Sequence, residues 1–278
     1  MKSESWLRYN FLIMKDIKIV AAIYNRLIKP EAEYYAKEGI KWLQSEGIVV
    51  VDNPSCFDNS IDVVVVYGGD GSLLHVANMV TEYDIPIMGI NCGRVGYLCS
   101  SSSQNRLTIL KSLFEGNAYL DIRHRVSVFV NGEQKLDALN EIAIGGINRT
   151  VYLDLFMKHS CTLKLKAIGD GIIVSTMTGS TAYNVNAGGP VMFSDNVFSV
   201  VANNSIFQSD SLPVNTKSIV TSIDTIFDVE ITNKDKNNIP DLIADGQRIY
   251  ELSKHDEIKI RKSKYKTKLI KMLNEEET

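Results

Sequence analysis

Apolar and polar positions follow two rhythms along this chain, and the change between them falls near residue 118. Before it, short apolar runs alternate with stretches of helical spacing. Ile17 to Ile23 reads as a strand, and Pro30 opens a helix with Ala32, Tyr35, Ala36, Ile40 and Leu43 on one face and Gly47 at its end. Strands follow at Ile48–Val51 and from Ile61, where the β-branched run Val63–Val66 suits a strand buried on both faces. A helix over Leu73–Val80 with Ser72 as its cap, a strand at Ile85–Ile90 and a helix from about Asn105 to Gly116 complete the series. Strands alternating with helices predict an α/β domain with a mostly parallel sheet.

Beyond Tyr119 the period shortens. Val126–Val130, the Asn131-Gly132 turn and a return strand predict a hairpin. Short strands follow near Leu139–Ile144, Val151–Phe156, Leu163–Ala167, Ile172–Ser175, Ser199–Ala202, Ser218–Thr221, Phe227–Ile231, Leu242–Ala244 and Glu257–Ile260, with a tight turn at Asp245-Gly246. Many short strands separated by turn residues predict an all-β, sandwich-like domain. The expected division is residues 1–118 for the α/β domain and 119–261 for the β domain. Residues 262–278 are expected to pack back on the first, with Thr267–Leu273 as a closing helix.

Composition narrows the function classes. The chain has 278 residues, 45% hydrophobic and 23% charged, which is ordinary for a globular protein. A net charge of −3 gives no support for a nucleic-acid surface. The lysines from Lys254 to Lys271 read as a solvated tail. Cys56, Cys92, Cys99 and Cys161 have neither metal-ligand nor disulfide spacing, and His75, His124, His159 and His255 are scattered, so no protein-held metal is expected. With no signal-peptide plan over Met1–Met14 and no membrane-spanning run, a cytoplasmic location is expected, with no membrane partner.

The chemistry concentrates where the Val63 strand ends. Gly68, Gly69 and Gly71 let the backbone turn sharply and approach a ligand, and the following helix N-terminus presents free N–H groups that favour phosphate. Asp70 lies inside that turn. A carboxylate repels phosphate, so its presence asks for a reason, and accepting a proton from an attacking hydroxyl supplies one. The bland alternative is a tight turn with an Asx-type hydrogen bond. Neither a Walker-type Gly-x-x-x-x-Gly-Lys-Ser/Thr nor a Gly-x-Gly-x-x-Gly occurs, which excludes an ordinary P-loop and a standard dinucleotide fingerprint.

A second polar stretch, Gly169 to Pro190, runs strand, Ser/Thr/Gly loop, then a short glycine-ended helix. Thr176, Thr178, Ser180 and Thr181 offer hydroxyls suited to a ribose, an adenine edge or phosphate oxygens, and Tyr183 offers a ring for stacking. The alternative is a long inter-strand excursion rich in turn formers. Asn140-Glu141 sits between Leu139 and Ile142; on a regular strand only one of the pair faces a given site, and a satisfied buried amide is the usual explanation.

Taken together, the chain resembles the ATP-dependent NAD kinases. The resemblance rests on Gly68-Gly69-Asp70-Gly71-Ser72, the segment Gly89 to Leu98, Asn140-Glu141, the Asp170–Pro190 block with Thr178-Gly179-Ser180-Thr181-Ala182-Tyr183, and Asp245-Gly246-Gln247, in the family's order. It implies an α/β domain followed by a β-sandwich-like domain with the active site in the cleft between them, Mg-ATP as donor with the Mg2+ carried by ATP, NAD as acceptor, and homodimers or homotetramers. It implies that Asp70 is the general base for the 2′-hydroxyl of NAD and that Gly69, Gly71 and Ser72 hold phosphate or orient the carboxylate. It further implies NAD contacts from Asn140, Glu141, Asp170, Thr178, Ser180, Thr181, Ala182 and Tyr183, partly across a subunit interface. The chain departs from the family's pattern at Met177 and Asn186, at Cys92, Val95 and Tyr97, and in lacking a Pro-His segment between Ala202 and Val214.

Two rivals stand beside this reading, one another kinase and one of a different class. A lipid or sugar kinase shares the Gly-Gly-Asp-Gly turn but has no use for the Thr178–Pro190 block. A nucleotide-sensing module binds NAD(P) without turnover, yet gains little from a carboxylate beside phosphate.

Overall fold

The computed structural model describes residues 10–11, 17–25, 30–93, 96–99, 106–146, 150–209, 215–232 and 239–273. They form two compact units: residues 1–123 with 266–278, and residues 124–265.

Unit 1 contains β1 (Asn10–Phe11), β2 (Ile19–Tyr24), α1 (Pro30–Ser45), β3 (Val49–Asp52), β4 (Val63–Gly68), α2 (Asp70–Met79), β5 (Ile87–Asn91) and α3 (Arg106–Phe114). Its parallel strands run in the order β3-β2-β4-β5, and β5 pairs in parallel with the end of β19 (Ile258–Met272) through Ile87 and Leu269. Every residue of β4 is buried, as its β-branched run predicts. In α1, Ala32, Ala36, Gly39 and Leu43 are buried at helical spacing, and Tyr35 and Ile40 pack against the same core. Register between β4 and β5 sets Gly68 opposite Asn91. The loops that follow these two strands therefore start side by side, at the carboxyl end of a parallel sheet where ligand sites form.

Among the described residues, unit 2 is all-β apart from α4 (Tyr183–Asn186) and a 3-10 turn at Thr178–Thr181. β6 (Ala118–Val130) enters from unit 1 and makes a hairpin with β7 (Glu133–Ala138). There follow β8 (Glu141–Gly145), β9 (Val151–Lys158), β10 (Thr162–Gly169), β11 (Gly171–Ser175), β12 (Val197–Asn203), β13 (Phe207–Gln208), β14 (Asn215–Thr216), β15 (Ser218–Ser222), β16 (Ile226–Ile231), β17 (Asp241–Ala244) and β18 (Gln247–Glu251). One antiparallel sheet runs β15-β12-β11-β8-β17-β18; the strands β14-β13-β10-β9-β16 and the start of β19 form the other. Val200, Val174, Ile144 and Leu242 of the first share a core with Leu165, Leu155, Phe227 and Ile260 of the second, as in a β-sandwich. Asn131-Gly132 and Asp245-Gly246 form turns in which all four residues have positive φ, from 47° to 80°.

Three expectations are overturned. Thr267–Leu273 is not a closing helix: residues up to Met272 continue β19, a strand of 15 residues. Lys264, Lys266 and Lys268 alternate with Ser263, Tyr265, Thr267 and Leu269, and buried Ser263, Thr267 and Leu269 mark a period of two that a helix cannot satisfy. For the same reason, Lys264, Lys266 and Lys268 are not a solvated tail but one face of a strand. Nor does Ser72 cap a helix starting at Leu73. The helix starts at Asp70 with Gly69 as its N-cap, and Ser72 lies in its first turn.

Close packing in unit 1 generates a testable consequence. A Cβ on Gly39 would lie 2.0 Å from Tyr67 Oη and 3.0 Å from Cζ, so glycine is what lets α1 sit over β4. Tyr67 Oη is buried without a hydrogen-bond partner among the described residues. Gly39→Ala is expected to destabilise the protein by about 1–3 kcal/mol through overpacking, despite the better helix propensity of alanine. Tyr67→Phe, which removes the nearest atom and an unpartnered polar group, is expected to be neutral or stabilising and to relieve most of that loss. Denaturant unfolding of the two single variants and the double variant measures both; an additive double variant contradicts the contact.

Candidate active site

In unit 1 the site is built on a carboxylate held by backbone. Asp70 opens α2, and its side chain reaches the loop after β5. Its Oδ2 accepts the N–H of Tyr97 at 2.8 Å, while Oδ1 accepts those of Leu98 at 3.1 Å and Cys99 at 3.2 Å. Gly96 makes this approach possible, because a Cβ there would lie 2.2 Å from Asp70 Oδ1. The buried Cys99 thiol is pushed up to about 12, by burial first and then by the Asp70 charge, and so stays neutral beside it. A carboxylate offers about four lone-pair sites, and Oδ2 accepts only one of the three backbone bonds, which leaves it the freer oxygen to take a proton. Gly68, Gly69 and Gly71 bring α2 to the strand end, and Ser72 Oγ fills the space where a Gly68 Cβ would stand, 2.5 Å away. The first-turn N–H groups of α2 are the anion-binding feature expected there. Arg94 and Val95 of the second glycine segment lie outside the described residues.

In unit 2 a second carboxylate does the same work. Asp245, at positive φ in its turn, accepts the N–H of Leu139 at 3.0 Å and of Asn140 at 2.7 Å. Asn140 O in turn receives the N–H of Thr176, which docks the start of the 176–190 block, and a Cβ on Gly179 would lie 2.2 Å from that oxygen. Behind this junction lies Arg125, fully buried, with a hydrogen bond to Asp137 O and the charges of Asp245 and Asp137 near it. Asn140 precedes β8 and Glu141 is its first residue, so the strict alternation of a strand does not govern the pair.

Glu141 is 3% exposed, and its Oε2 is buried without a hydrogen-bond partner among the described residues. Burial, and then the charge of Asp245, push its carboxyl up to about 8, so at neutral pH it is protonated and can donate as well as accept.

The hydroxyls of the 176–190 block are not all offered outward. Thr176 Oγ1 donates to Leu139 O at 2.6 Å and accepts the N–H of Gly179. Ser180 Oγ donates to Met177 O at 2.7 Å and accepts the N–H of Met192 at 3.1 Å, with the residue fully buried. These two brace the block, which corrects the reading of a row of free hydroxyls. Thr178 is also buried, whereas Thr181 and Ala182 are half-buried and Tyr183 is 39% exposed. Asp170 and Tyr183 come together around a cavity of about 370 Å³ that Asn203, Gly246 and Arg248 also line. Asn204 donates to Asp170 Oδ2 and Asn203 to Tyr183 Oη.

Sequence reasoning passed over Asp245 as an anchor, Gly96 as a close approach, and Lys271, whose Nζ donates to Leu98 O. Asp245 carried a usable signal: an Asp-Gly turn places a carboxylate at a fixed point. Lys271 carried none, since its partner is a backbone carbonyl far away in sequence.

The Glu141 environment fixes a pH dependence. Its folded-state value lies above the 4.5 of an ordinary glutamate, so the folded chain binds this proton more tightly than the unfolded one. That contribution to stability is complete below about pH 4.5 and is lost as the pH rises to about 8. Glu141→Gln does not titrate, so its stability relative to the parent is expected to rise by about 4 kcal/mol between pH 5 and pH 8. Urea unfolding of both proteins at the two pH values measures this, and parallel profiles contradict it.

Comparison with known proteins finds two family domains in this chain. Residues 52–118 match the ATP-NAD kinase N-terminal domain and residues 139–272 the ATP-NAD kinase C-terminal domain. An NAD kinase of Clostridium tetani is 33% identical over 223 residues, covering 78% of this chain and 77% of that protein. One of Natranaerobius thermophilus is 30% identical over 266 residues, covering 91% and 88%. One of Pyrococcus furiosus is 35% identical over 218 residues, covering 77% and 75%. Among solved structures, yeast NADH kinase complexed with NADH superposes with a TM-score of 0.78 at 18% identity, covering 95% of this chain and 86% of that one. An NAD kinase from Archaeoglobus fulgidus in complex with ATP gives 0.66 at 24%, covering 94% of each. At such identities these two likenesses establish the fold.

Proposed function

This chain belongs to the ATP-NAD kinase family and phosphorylates NAD to NADP, and we propose that Asp70 is the base of that transfer. The observation that carries the proposal is the carboxylate itself: three loop amides fix its position, and Oδ2 retains acceptor capacity. In the proposed step the 2′-oxygen of the NAD adenosine ribose attacks the γ-phosphorus of ATP. Asp70 Oδ2 takes the 2′-hydroxyl proton, the bond from the γ-phosphorus to the bridging oxygen breaks, and ADP leaves. Because phosphoryl transfer asks the protein mainly for positioning and charge stabilisation, a base that is already aligned removes part of the barrier before substrate arrives.

The N–H groups at the start of α2, with Gly69, Gly71 and Ser72, are proposed to face phosphate oxygens. Magnesium is proposed to enter on the ATP phosphates, as part of the substrate. Asn140 and protonated Glu141 are proposed to hold the adenosine portion of NAD; the neutral carboxyl supplies a donor that an ionised one lacks. Asp170, Thr181, Ala182 and Tyr183 are proposed to contact the rest of the dinucleotide, with Thr178 and Ser180 shaping the loop that presents them.

The lipid- and sugar-kinase alternative finds no support in either matched domain. Among the described residues no helix is long and apolar enough to cross a membrane. A cytoplasmic, homodimeric or homotetrameric enzyme is the proposed form. Support for the assembly comes from Tyr183, Val185, Val191 and Phe193, all at least 39% exposed and clustered in the sequence of the NAD-binding block.

Two outcomes test these proposals. Asp70→Asn keeps the side-chain shape and removes the proton acceptor, so kcat is expected to fall about 10²- to 10⁴-fold while the Kd for NAD moves only a few-fold. Coupled assay of NADP formation and calorimetric titration with NAD measure the two; near wild-type turnover removes Asp70 from the role. If a second copy completes the NAD site, specific activity falls on dilution in step with the oligomer mass measured by light scattering. A fully active monomer refutes the shared site while leaving the kinase intact.

A further inference from the structure

The loop that holds Asp70 is itself held from its other side. Lys271, near the end of β19, donates from Nζ to Leu98 O and, at 3.4 Å, to Tyr97 O. These carbonyls belong to the same peptide groups whose N–H ends meet the carboxylate. Tyr97 O and the Leu98 N–H share one peptide plane; Leu98 O and the Cys99 N–H share the next. Both N–H groups donate to Asp70 Oδ1. Two peptide dipoles thus lie in line between an ammonium and a carboxylate, the ammonium against their negative ends and the carboxylate against their positive ends.

Resting on the reading of Asp70 as the base, we infer that Lys271 is a positioning residue for the phosphoryl transfer, fixing Asp70 through the peptide groups that join Tyr97 to Leu98 and Leu98 to Cys99. An ammonium on a carbonyl polarises the peptide and strengthens the hydrogen bond its N–H makes, so each bond in the chain reinforces the other. Oδ1 is engaged by the two polarised donors, which turns Oδ2 to the substrate side as the reacting oxygen. The location of Lys271 favours a held contact over a transient one. Burial lowers its pKa first, with Arg123 acting in the same sense; Asp121 and Asp70 act against it and favour the charged form. A cation withdrawn from water in this way depends on its fixed partners, and the loop carbonyls are among them. The arrangement also gives the strand ending of the chain a role: β19 pairs with β5 at Leu269 and Ile87, which sets Lys271 two residues on, beside the loop that leaves β5.

The test uses Lys271→Gln, Lys271→Met and Lys271→Arg in the full-length protein, each also combined with Asp70→Asn, with thermal unfolding to confirm folding. For the Gln and Met variants kcat is expected to fall about tenfold or more, with KM for NAD and for ATP within about threefold, since the group acts on the base and not on ground-state binding. Lys271→Arg, which keeps a donor cation, is expected to recover most of the loss. In the Asp70→Asn background the same substitutions are expected to change the residual kcat by less than about twofold, because the side chain through which Lys271 acts is already disabled. Amide hydrogen exchange supplies a readout independent of turnover: Leu98 and Cys99 are expected to exchange about tenfold faster or more in the Gln and Met variants. A folded Gln or Met variant with wild-type kcat and unchanged exchange overturns the inference, and so does an equal loss of kcat in both backgrounds. An Asp70→Asn enzyme with normal turnover instead removes the base assignment, which the Lys271 single variants alone would leave standing.

Discussion

A half-buried carboxylate held by three backbone amides is the constraint on which this site depends. Asp70 reaches the N–H groups of Tyr97, Leu98 and Cys99 only because β4 and β5 are adjacent and parallel, so that their following loops leave the sheet at one edge. It does so only because Gly96 lacks a Cβ where the carboxylate lies. The buried run Val63–Val66 is thus more than core: it fixes the point at which α2 begins and at which Asp70 is presented. Sheet order, glycine placement and the chemistry of one carboxylate are consequences of the same geometry.

Unit 2 repeats the device with different parts. Asp245 uses a tight turn between β17 and β18 to capture the amides before β8, and the captured segment passes the order on to the 176–190 block through Asn140 O. In both units a carboxylate replaces the repeating hydrogen bonds that a helix or sheet would otherwise supply to a loop. This makes each loop rigid without covering it, which is what a substrate-facing backbone requires. The state of Glu141 follows from its placement: burial first, and then the Asp245 carboxylate nearby, raise its pKa and keep its proton on.

Much of this was legible in the order of residues. Alternation in Val151–Lys158, the four β-branched residues of β4 and the Asn-Gly and Asp-Gly turns each have one low-energy solution, and the chain adopts it. The motif residues then identified the family. The misreadings have physical causes of their own. Thr267–Leu273 was read as a closing helix, although the alternation of Lys264, Lys266 and Lys268 with Ser263, Tyr265, Thr267 and Leu269 marks a strand. Ser72 was read as a cap because serine favours that position, yet Gly69 takes it, and the side chain of Asp70 turns instead to a loop more than 25 residues away, with Tyr97 27 residues on. The hydroxyl of Ser180 satisfies backbone groups inside its own loop. Contacts of side chains with remote backbone leave no periodic trace, so Lys271 emerges only from the fold, and Asp245 shows in sequence as a turn residue but not as an anchor.

The account turns on where the NAD 2′-oxygen lies relative to one carboxylate oxygen. A crystal structure of the inactive Asp70→Asn protein with NAD and Mg-ATP bound measures that distance directly. The account predicts the 2′-oxygen within about 2.6–3.2 Å of the δ atom that replaces Asp70 Oδ2, with the amides of Leu98 and Cys99 still bonded to the other. A 2′-oxygen hydrogen-bonded to a different acidic or basic side chain, and out of reach of position 70, would contradict it.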